Sequence, residues 1–195
     1  MSLDGFIAGP NAGPKNALGD GGTRIHQWLY ELSIFRERLG LSGGVTNSDD
    51  QLVRDSYART GAYVIGRRMF GEGEVGWPEN PPFRAPVFVL THHSREPWPR
   101  EGGTTFSFVT DGIESALQQA VAAAEGKDVR ISGGANAIQQ FMTAGLVDEL
   151  RIHLAPVLLG SGVRLFERAD PGLELERLEV IDSPLVSHLK YRVVK

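Results

Sequence analysis

The sequence predicts an α/β fold in which a largely parallel sheet carries helices on both faces and an antiparallel edge. Helical and strand-like patterns alternate as far as Val157, and strand patterns dominate after it. This alternation is typical of βαβ units, because parallel neighbours need a crossover connection. Three buried strand candidates also end alike, in glycine or polar residues, at positions 65–68, 90–93 and 131–134.

Length and composition predict one cytoplasmic domain spanning residues 1–195. The chain is 41% hydrophobic and 23% charged, with a net charge of −4 and no cysteine. It lacks a basic cluster for nucleic acid, a signal-peptide pattern and an apolar run of the ~18 residues that a membrane span needs. The five histidines are scattered without metal-ligand spacing, so no metal site is expected.

The N-terminal third predicts a strand, a loop and two helices. Residues 1–8 alternate like a strand, and the glycine-rich residues 9–22 are either a lid or binding loop or a plain connector. Thr23 is the expected cap of a helix with four apolar residues spaced three and four apart, namely Ile25, Trp28, Leu29 and Leu32. Asn47 or Ser48 is expected to cap a helix over 49–59, whose first turn carries Asp49 and Asp50.

The rest of the chain predicts alternating elements and then a hairpin. Short buried strands are expected at 62–65, 86–90 and 105–109. Asp111 is the expected cap of a helix reaching Glu125, with an inner face made of Ile113, Leu117, Ala120 and Val121. A long strand is expected at 147–157. Residues 173–181 and 185–194 are expected to pair antiparallel.

Residues 128–141 form the stretch most indicative of function. Val129 to Ile131 alternate like a strand, Gly133 and Gly134 break the pattern, and Ile138, Phe141 and Met142 then share a helical face. A strand that turns into a helix at two glycines leaves N–H groups free for a phosphate-sized anion. The alternative is a tight turn without a ligand.

The three similar strand ends predict a ligand with separate phosphates. Ligands of open α/β sheets bind beyond the carboxyl ends of the strands. A pyrophosphate fits Gly133 and Gly134, while Arg67 or Arg68, with Thr91 and His92, would take a further phosphate. This favours NADPH over NADH. The alternatives are a solvated arginine pair and exposed loop histidines.

Six segments together resemble the dihydrofolate reductase superfamily, in the branch similar to the C-terminal reductase domain of bacterial riboflavin-biosynthesis deaminase-reductases. They are MSLDGFIAGPN (1–11), GDGG (19–22), IGRRMF (65–70), VLTHH (89–93), ISGGANAIQQF (131–141) and VDELRIHLAPVLLGSGVRLF (147–166). The resemblance implies a mixed, mostly parallel central sheet of about eight strands flanked by helices. It also implies NADPH, a mobile loop at residues 9–22 and a cis peptide between Gly133 and Gly134.

The same resemblance assigns candidate site residues. The cofactor set is Ala8, at the nicotinamide carboxamide, with Gly66, Arg67, Arg68, Thr91, His92, Ser132, Gly133, Gly134, Ala135 and Asn136. Asp4 is the candidate catalytic residue and contacts substrate; Asp4-Gly5 is also a common turn dipeptide. Trp28 and Leu158 are candidate substrate contacts, with core packing as the alternative.

Three departures from the family pattern argue against folate itself as substrate. Met69 stands where folate reductases often have Thr, Ile138 stands where they often have Tyr, and no acidic residue on the first helix matches, Glu31 being only nearby. Related chains also carry several more residues before the MSLDG segment. We therefore expect an NADPH-dependent reductase of a small heterocycle, such as a pterin or ribosylaminopyrimidine. A nucleotide-binding protein with little turnover is the alternative, and a homodimer is expected from an apolar face of the C-terminal hairpin.

Overall fold

A computed structural model describes residues 1–167 and 172–195. The helices in it are α1 (Thr23–Tyr30), α2 (Ser33–Arg38), α3 (Ser48–Arg59), α4 (Arg67–Gly73), α5 (Ile113–Ala123) and α6 (Ala135–Thr143). The strands are β1 (Phe6–Ala8), β2 (Thr60–Gly66), β3 (Val87–Leu90), β4 (Trp98–Pro99), β5 (Thr105–Val109), β6 (Asp128–Gly133), β7 (Glu149–Leu154), β8 (Val163–Arg164), β9 (Leu175–Ser183) and β10 (Val186–Val193). The predicted α/β class is confirmed.

The described strands form three sets of ladders. The largest has the order β4-β5-β3-β2-β6, and every pair in it is parallel except β4 with β5. The second is the antiparallel sheet β7-β10-β9, and the third pairs β1 with β8. The predicted C-terminal hairpin is confirmed as β9 and β10. Apolar and polar residues alternate along both strands, which is why the sequence indicated them.

Helices cover both faces of the five-stranded sheet. On one face, α5 and α6 bury Ala116, Ala120 and Phe141 against Ala62 and Val64 of β2. On the other, α4 packs Phe70 into an aromatic cluster with Tyr63, Phe83 and Phe106. Successive β2 residues therefore contact opposite cores, which is why Ala62 to Ile65 form an uninterrupted buried run. No helix among the described residues is long and apolar enough to cross a membrane.

Two predicted helix caps are wrong, and one is confirmed. Gly22 rather than Thr23 precedes α1, and Gly112 rather than Asp111 precedes α5, where its φ of 96° favours glycine. Asn47 does cap α3, because its side chain accepts a hydrogen bond from the backbone N–H of Asp50. Side-chain chemistry decides a cap only where the backbone turn suits it.

Other predicted boundaries also change. Residues 2–6 turn rather than extend, because Ser2 N–H donates to the Phe6 carbonyl and Gly5 N–H donates to the Ser2 carbonyl. Leu32 is buried but precedes the short helix α2, which the sequence did not indicate. On α5, Val121 is 57% exposed, and the buried face is made of Ala116 and the predicted Ala120, with Ala124 buried directly after the helix.

Gly61 tests the packing of α5 on the sheet. A Cβ at this position would overlap the backbone carbonyl of Ala124, which cannot rotate away. We expect Gly61→Ala to destabilise the fold by about 1–3 kcal/mol through overpacking, measured by urea unfolding. Gly13→Ala is the matched control, because no atom lies within 4 Å of the added methyl. Equal stability of the two variants would contradict this packing.

Candidate functional site

The carboxyl ends of three parallel strands lie side by side, as the sequence predicted. In the ladder registers, Gly66 of β2 pairs with Leu90 of β3, and Ile65 pairs with Gly133 of β6. Gly66, Thr91 and Gly133 therefore share one edge of the sheet. Ligands of this sheet type bind at such an edge.

At the centre of that edge, backbone atoms approach closely because side chains are absent. A Cβ on Gly66 would lie 3.6 Å from the Gly134 nitrogen and 3.4 Å from the Ala137 Cβ. The Gly133–Gly134 peptide is cis, as the family resemblance implied, and Gly133 has a φ of 133°. A Cβ on Gly133 would lie 3.1 Å from the Met69 Sδ. The result is a glycine-lined cradle at the start of α6.

Ser132, Ala135 and Asn136 flank this cradle. Ser132 is half-buried in β6, and Ala135 is buried in the first turn of α6. Asn136 is exposed, and its side-chain oxygen accepts a hydrogen bond from Gln140 Nε2 at 2.7 Å. The backbone N–H groups of this turn are thus the main polar groups that the sequence places at the cradle.

The two arginines at the start of α4 differ in their contacts. Arg68 pairs with Glu72 at 2.7 Å and donates to the Ala12 carbonyl at 3.2 Å. Arg67 has neither an ion pair nor a hydrogen bond within the described residues; its guanidinium lies 5.7 Å from the centre of the Phe70 ring. Arg67 is therefore available to an anion, whereas Arg68 joins α4 to the loop of residues 9–22.

A third arginine that sequence reasoning missed lies at the same end of the sheet. Arg95 lies 5.4 Å from the centre of the Phe70 ring and 5.0 Å from that of Phe108, and it pairs with Glu74 at 2.5 Å. Arg67 and Arg95 thus converge on one buried ring. No local sequence pattern indicates this, because the contact joins α4 to the segment after β3.

Thr91 and His92 have different roles in this region. Thr91 is buried, and its hydroxyl accepts the His93 N–H at 3.1 Å, which shapes the turn after β3. His92 and His93 are exposed. The turn therefore presents imidazole groups to solvent near Arg95.

Residues 9–22 form a compact loop closed by its own hydrogen bonds. Gly9 N–H donates to the Leu18 carbonyl, and Asp20 N–H donates to the Pro10 carbonyl, each at 2.8 Å. The Asp20 carboxylate also accepts from Asn11 at 2.6 Å and from Asn16 at 2.8 Å. A Cβ on Gly9 would overlap Asp20, so glycine is needed for this closure.

Asp4 is held as a carboxylate by its neighbours. It accepts hydrogen bonds from Ser2 Oγ at 2.6 Å, from Gly160 N–H at 2.7 Å and from Leu159 N–H at 3.1 Å. The Ser2 hydroxyl, with the Gly160 and Leu159 amides, lowers the pKa of Asp4 to about 2. This geometry makes Asp4 a hydrogen-bond acceptor that fixes the loop after β7, and a poor proton donor.

The remaining predicted residues, Ala8, Trp28 and Leu158, lie outside the ladder that carries the glycine cradle. Ala8 is buried in the β1–β8 pair, and Gly162 approaches its carbonyl. Trp28 is 6% exposed and packs with Leu32, Val53 and Val186. This is the packing expected if Trp28 is a core residue. Leu158 is 66% exposed next to the amides that hold Asp4.

A cavity of about 420 Å³ lies between α1–α2 and the segment after α4. Tyr30, Phe35, Trp77 and Pro78 supply aromatic and apolar walls, and Arg36 supplies a charge. α4 begins at Arg67, at the carboxyl end of β2, and the cavity wall at residues 76–78 follows the far end of that helix. Its size is in the range of small-molecule sites.

The sequence also missed a buried polar cluster. Asp49 of α3 contacts His188 of β10 at 3.0 Å and accepts from Ser183 at 2.6 Å, and His188 contacts His153 of β7 at 2.6 Å. Asp49 looked like an ordinary first-turn acid. The partners are 134 and 139 residues away, so no local signal pointed to them.

Comparison with known proteins defines the class to which this fold and site belong. The family model described as the RibD C-terminal domain matches residues 1–187. A putative riboflavin biosynthesis protein from Shewanella sp. PV-4 superposes with a TM-score of 0.66 at 22% identity, over 100% of this chain and 96% of that one. A deaminase/5-amino-6-(5-phosphoribosylamino)uracil reductase from Thermotoga maritima gives 0.58 at 15% identity, over 100% and 54%. The chain belongs to the RibD C-terminal domain family, which confirms the resemblance drawn from the motifs.

Two sequence relatives come from Bacillus subtilis. The uncharacterized protein YwjB is 30% identical over 117 residues, which is 60% of this chain and 64% of YwjB. The uncharacterized protein YyaP is 51% identical over 41 residues, 21% of this chain and 22% of YyaP. The matches thus span less than two thirds of each relative.

Asp4 gives the site a testable pH dependence. Because its pKa is lowered on folding, its contribution to stability is present above its usual pKa near 4 and is lost as the pH falls towards 2. We expect Asp4→Asn to be less stable than wild type at pH 7 and the difference to narrow below pH 4, measured by thermal unfolding. Asp111→Asn, at an exposed site, is the control. If the stability difference between Asp4→Asn and wild type does not change with pH, Asp4 does not stabilise the fold as a carboxylate.

Proposed function

We propose that this chain is an NADPH-dependent reductase that transfers a hydride to a small heterocyclic substrate of the ribosylaminopyrimidine or pterin-like kind. The observation that carries the proposal is the convergence of Gly66, Gly133 and Gly134 at one sheet edge, with the unpaired Arg67 beside them. Membership of the RibD C-terminal domain family supports the same reaction class.

The residues present suit a dinucleotide. The glycine cradle leaves room for a pyrophosphate against the backbone of Ser132 to Asn136, at the positive end of α6. Arg67, with Arg95, Thr91 and His92 nearby, would hold the phosphate that distinguishes NADPH from NADH. Arg68 would act indirectly, by holding the loop of residues 9–22 at Ala12, and Ala8 remains the candidate contact of the nicotinamide carboxamide.

The nicotinamide would supply the hydride when bound, and the protein would bind and orient the substrate. Leu158 and Asp4 would border the site from the loop after β7. Trp28 would support that site from the core.

A nucleotide-binding protein with little turnover is the second candidate. The glycine cradle and Arg67 suit that role equally well, since neither takes part in bond breaking. The ionised Asp4 favours this candidate, because the candidate catalytic residue is then a poor donor of the proton that a reduction needs. Reduction of a substrate by the intact chain separates the two.

We also propose that the protein is cytoplasmic and acts as a homodimer through the outer sheet β7-β10-β9. Ile152, Leu189 and Val180 pair across the three strands in one apolar row. Ile152 is buried, but Val180, on the edge strand β9, is 50% exposed. A second copy would cover that row.

Arg67 tests the cofactor assignment. We expect wild type to bind NADPH more tightly than NADH. Arg67→Ala should weaken the binding free energy of NADPH by about 1.5–3 kcal/mol, which lowers the affinity at least about tenfold, and should leave the affinity for NADH unchanged. Fluorescence titration measures both affinities. Lys127→Ala, at an exposed position before β6, is the control for loss of a cation. Equal loss for both cofactors, or none, would remove Arg67 from phosphate recognition.

Val180 tests the dimer. A glutamate at this position would place a charge in the apolar row and oppose burial of the sheet face. We expect wild type to be dimeric and Val180→Glu to be monomeric by light scattering coupled to size-exclusion chromatography. Glu179→Gln, at the neighbouring position of β9, should remain dimeric. A monomeric wild type would refute the proposal.

A further inference from the structure

Arg95 is engaged by a carboxylate at the far end of α4. Its Nη1 atom donates to Oε1 of Glu74 at 2.5 Å, whereas its Nε and Nη2 atoms have no hydrogen bond within the described residues. The Arg95 side chain is 42% exposed and the Glu74 side chain is 29% exposed. Such a pair contributes little to stability, because water screens it and both side chains lose rotamer freedom. The pair can therefore be exchanged for a stronger one.

Arg95 and Arg67 converge on one aromatic ring. The Arg67 guanidinium lies 5.7 Å from the centre of the Phe70 ring, and the Arg95 guanidinium lies 5.4 Å from the same centre. The Arg95 guanidinium also lies 5.4 Å from the centre of the Trp98 ring and 5.0 Å from that of the Phe108 ring. Aromatic rings attract a guanidinium without taking up its N–H donors. Most donors of both arginines are thus left for an anion.

One face of α4 carries both Arg67 and the carboxylate that engages Arg95. Arg67 is the first residue of α4 and Glu74 is its C-cap, and their separation of two helical turns puts them on the same face, with Phe70 and Gly71 between them. A Cβ on Gly71 would lie 2.6 Å from Arg67 Nη1. The Arg67 guanidinium therefore lies over Gly71, which is about 4.5 Å along the helix axis from Glu74.

We infer that Glu74 competes with a phosphate group of the ligand for Arg95, and that this competition sets how strongly the protein prefers NADPH to NADH. The inference rests on the proposed NADPH-binding function. In the free protein Arg95 pairs with Glu74. When a phosphate binds at Arg67, Arg95 leaves Glu74 and donates to the phosphate oxygens. Glu74 is thus a specificity-determining residue that acts through Arg95.

The charges of the two competing groups decide the direction of the exchange. A phosphate monoester carries about −1.5 to −2 charges at pH 7 and offers three strong acceptor oxygens. A carboxylate carries a single charge and offers two oxygens, so the phosphate is the stronger partner for the planar guanidinium of Arg95. NADH lacks this phosphate, and Arg95 then keeps its pair with Glu74. Release of Glu74 therefore opposes the binding of NADPH alone.

The exchange needs only side-chain movement. Arg95 and Glu74 are both partly exposed, and exposed side chains change rotamer within picoseconds to nanoseconds. The rings beneath Arg95 are fixed, because Phe70 packs edge-on against Trp98 and Phe108. Arg95 can therefore turn from one anion to the other over a rigid aromatic surface, with no change in the backbone of α4.

The first test compares wild type, Glu74→Gln and Glu72→Gln by fluorescence titration with NADPH and NADH. We expect Glu74→Gln to bind NADPH about two- to fivefold more tightly than wild type and NADH with unchanged affinity. Glu72→Gln is the matched control, because it removes the same charge from the same helix and Glu72 pairs with Arg68. An equal gain in both variants, or weaker NADPH binding by Glu74→Gln, would overturn the inference.

A double-mutant cycle shows whether Glu74 acts through Arg95. Arg95→Ala should lower the affinity for NADPH about tenfold and leave that for NADH unchanged. In the Arg95→Ala background, the gain from Glu74→Gln should disappear. A gain that persists without Arg95 would mean that Glu74 acts on the phosphate directly, and the exchange would be wrong.

A second readout needs no nicotinamide. Adenosine 2′,5′-bisphosphate carries the distinguishing phosphate and adenosine 5′-monophosphate lacks it, so calorimetric titration with both isolates the phosphate contact. We expect Glu74→Gln to bind the bisphosphate more tightly than wild type does and the monophosphate equally well. Equal affinities of wild type and Glu74→Gln for the bisphosphate would contradict the competition.

The outcomes separate this inference from the proposed function. If wild type prefers NADPH and Arg67→Ala removes that preference, but Glu74→Gln changes nothing, the competition is wrong and the proposed cofactor stands. If wild type binds neither dinucleotide, or binds both equally, the proposed function fails and the competition fails with it. A gain for NADPH in Glu74→Gln that depends on Arg95 supports both.

Discussion

The approach of two strand ends without side chains is the constraint on which the candidate site depends. Gly66 and the Gly133–Gly134 pair lie at the same edge of the sheet. The strand registers cause this, because they align the carboxyl end of β2 with those of β3 and β6. A Cβ on Gly66 would be in van der Waals contact with the Ala137 Cβ and the Gly134 nitrogen and would cover backbone that is now open there. The backbone therefore forms the floor of the site, and Arg67 and Arg95 supply the charge around it.

Sequence patterns predicted this part of the molecule because its signals are local. The run from Ala62 to Ile65 and the Gly133–Gly134 break are visible within a few residues, and parallel strands then bring their ends together by rule. Arg95 and the Asp49–His188–His153 line could not be predicted in this way. Their partners are distant in sequence, and a first-turn aspartate or a strand histidine looks ordinary until tertiary packing pairs it. The predicted cap at Asp111 is wrong although its signal is local. The backbone conformation at Gly112 makes this glycine the residue before α5, whatever side chain precedes it.

The polar groups of the candidate site differ in whether they already have partners within the fold. Asp4 and Arg68 looked functional from their motifs, yet both are engaged in holding loops, Asp4 at Leu159 and Gly160 and Arg68 at Ala12. Among the described residues, Arg67 has no such partner. Adjacent residues of one motif thus differ in their contacts: Arg68 is engaged with Glu72 and Ala12, whereas Arg67 is the residue left for the phosphate contact proposed above.

The closure of residues 9–22 by Asp20 has a consequence for how tightly a ligand is held. Glycine-rich segments lose much conformational entropy when a ligand orders them. Here the hydrogen bonds from Asn11 and Asn16 to Asp20 already order the loop in the folded chain, so this entropy is lost on folding and not on ligand binding. The segment is therefore preorganised, and a ligand that contacts it would have little further backbone to order.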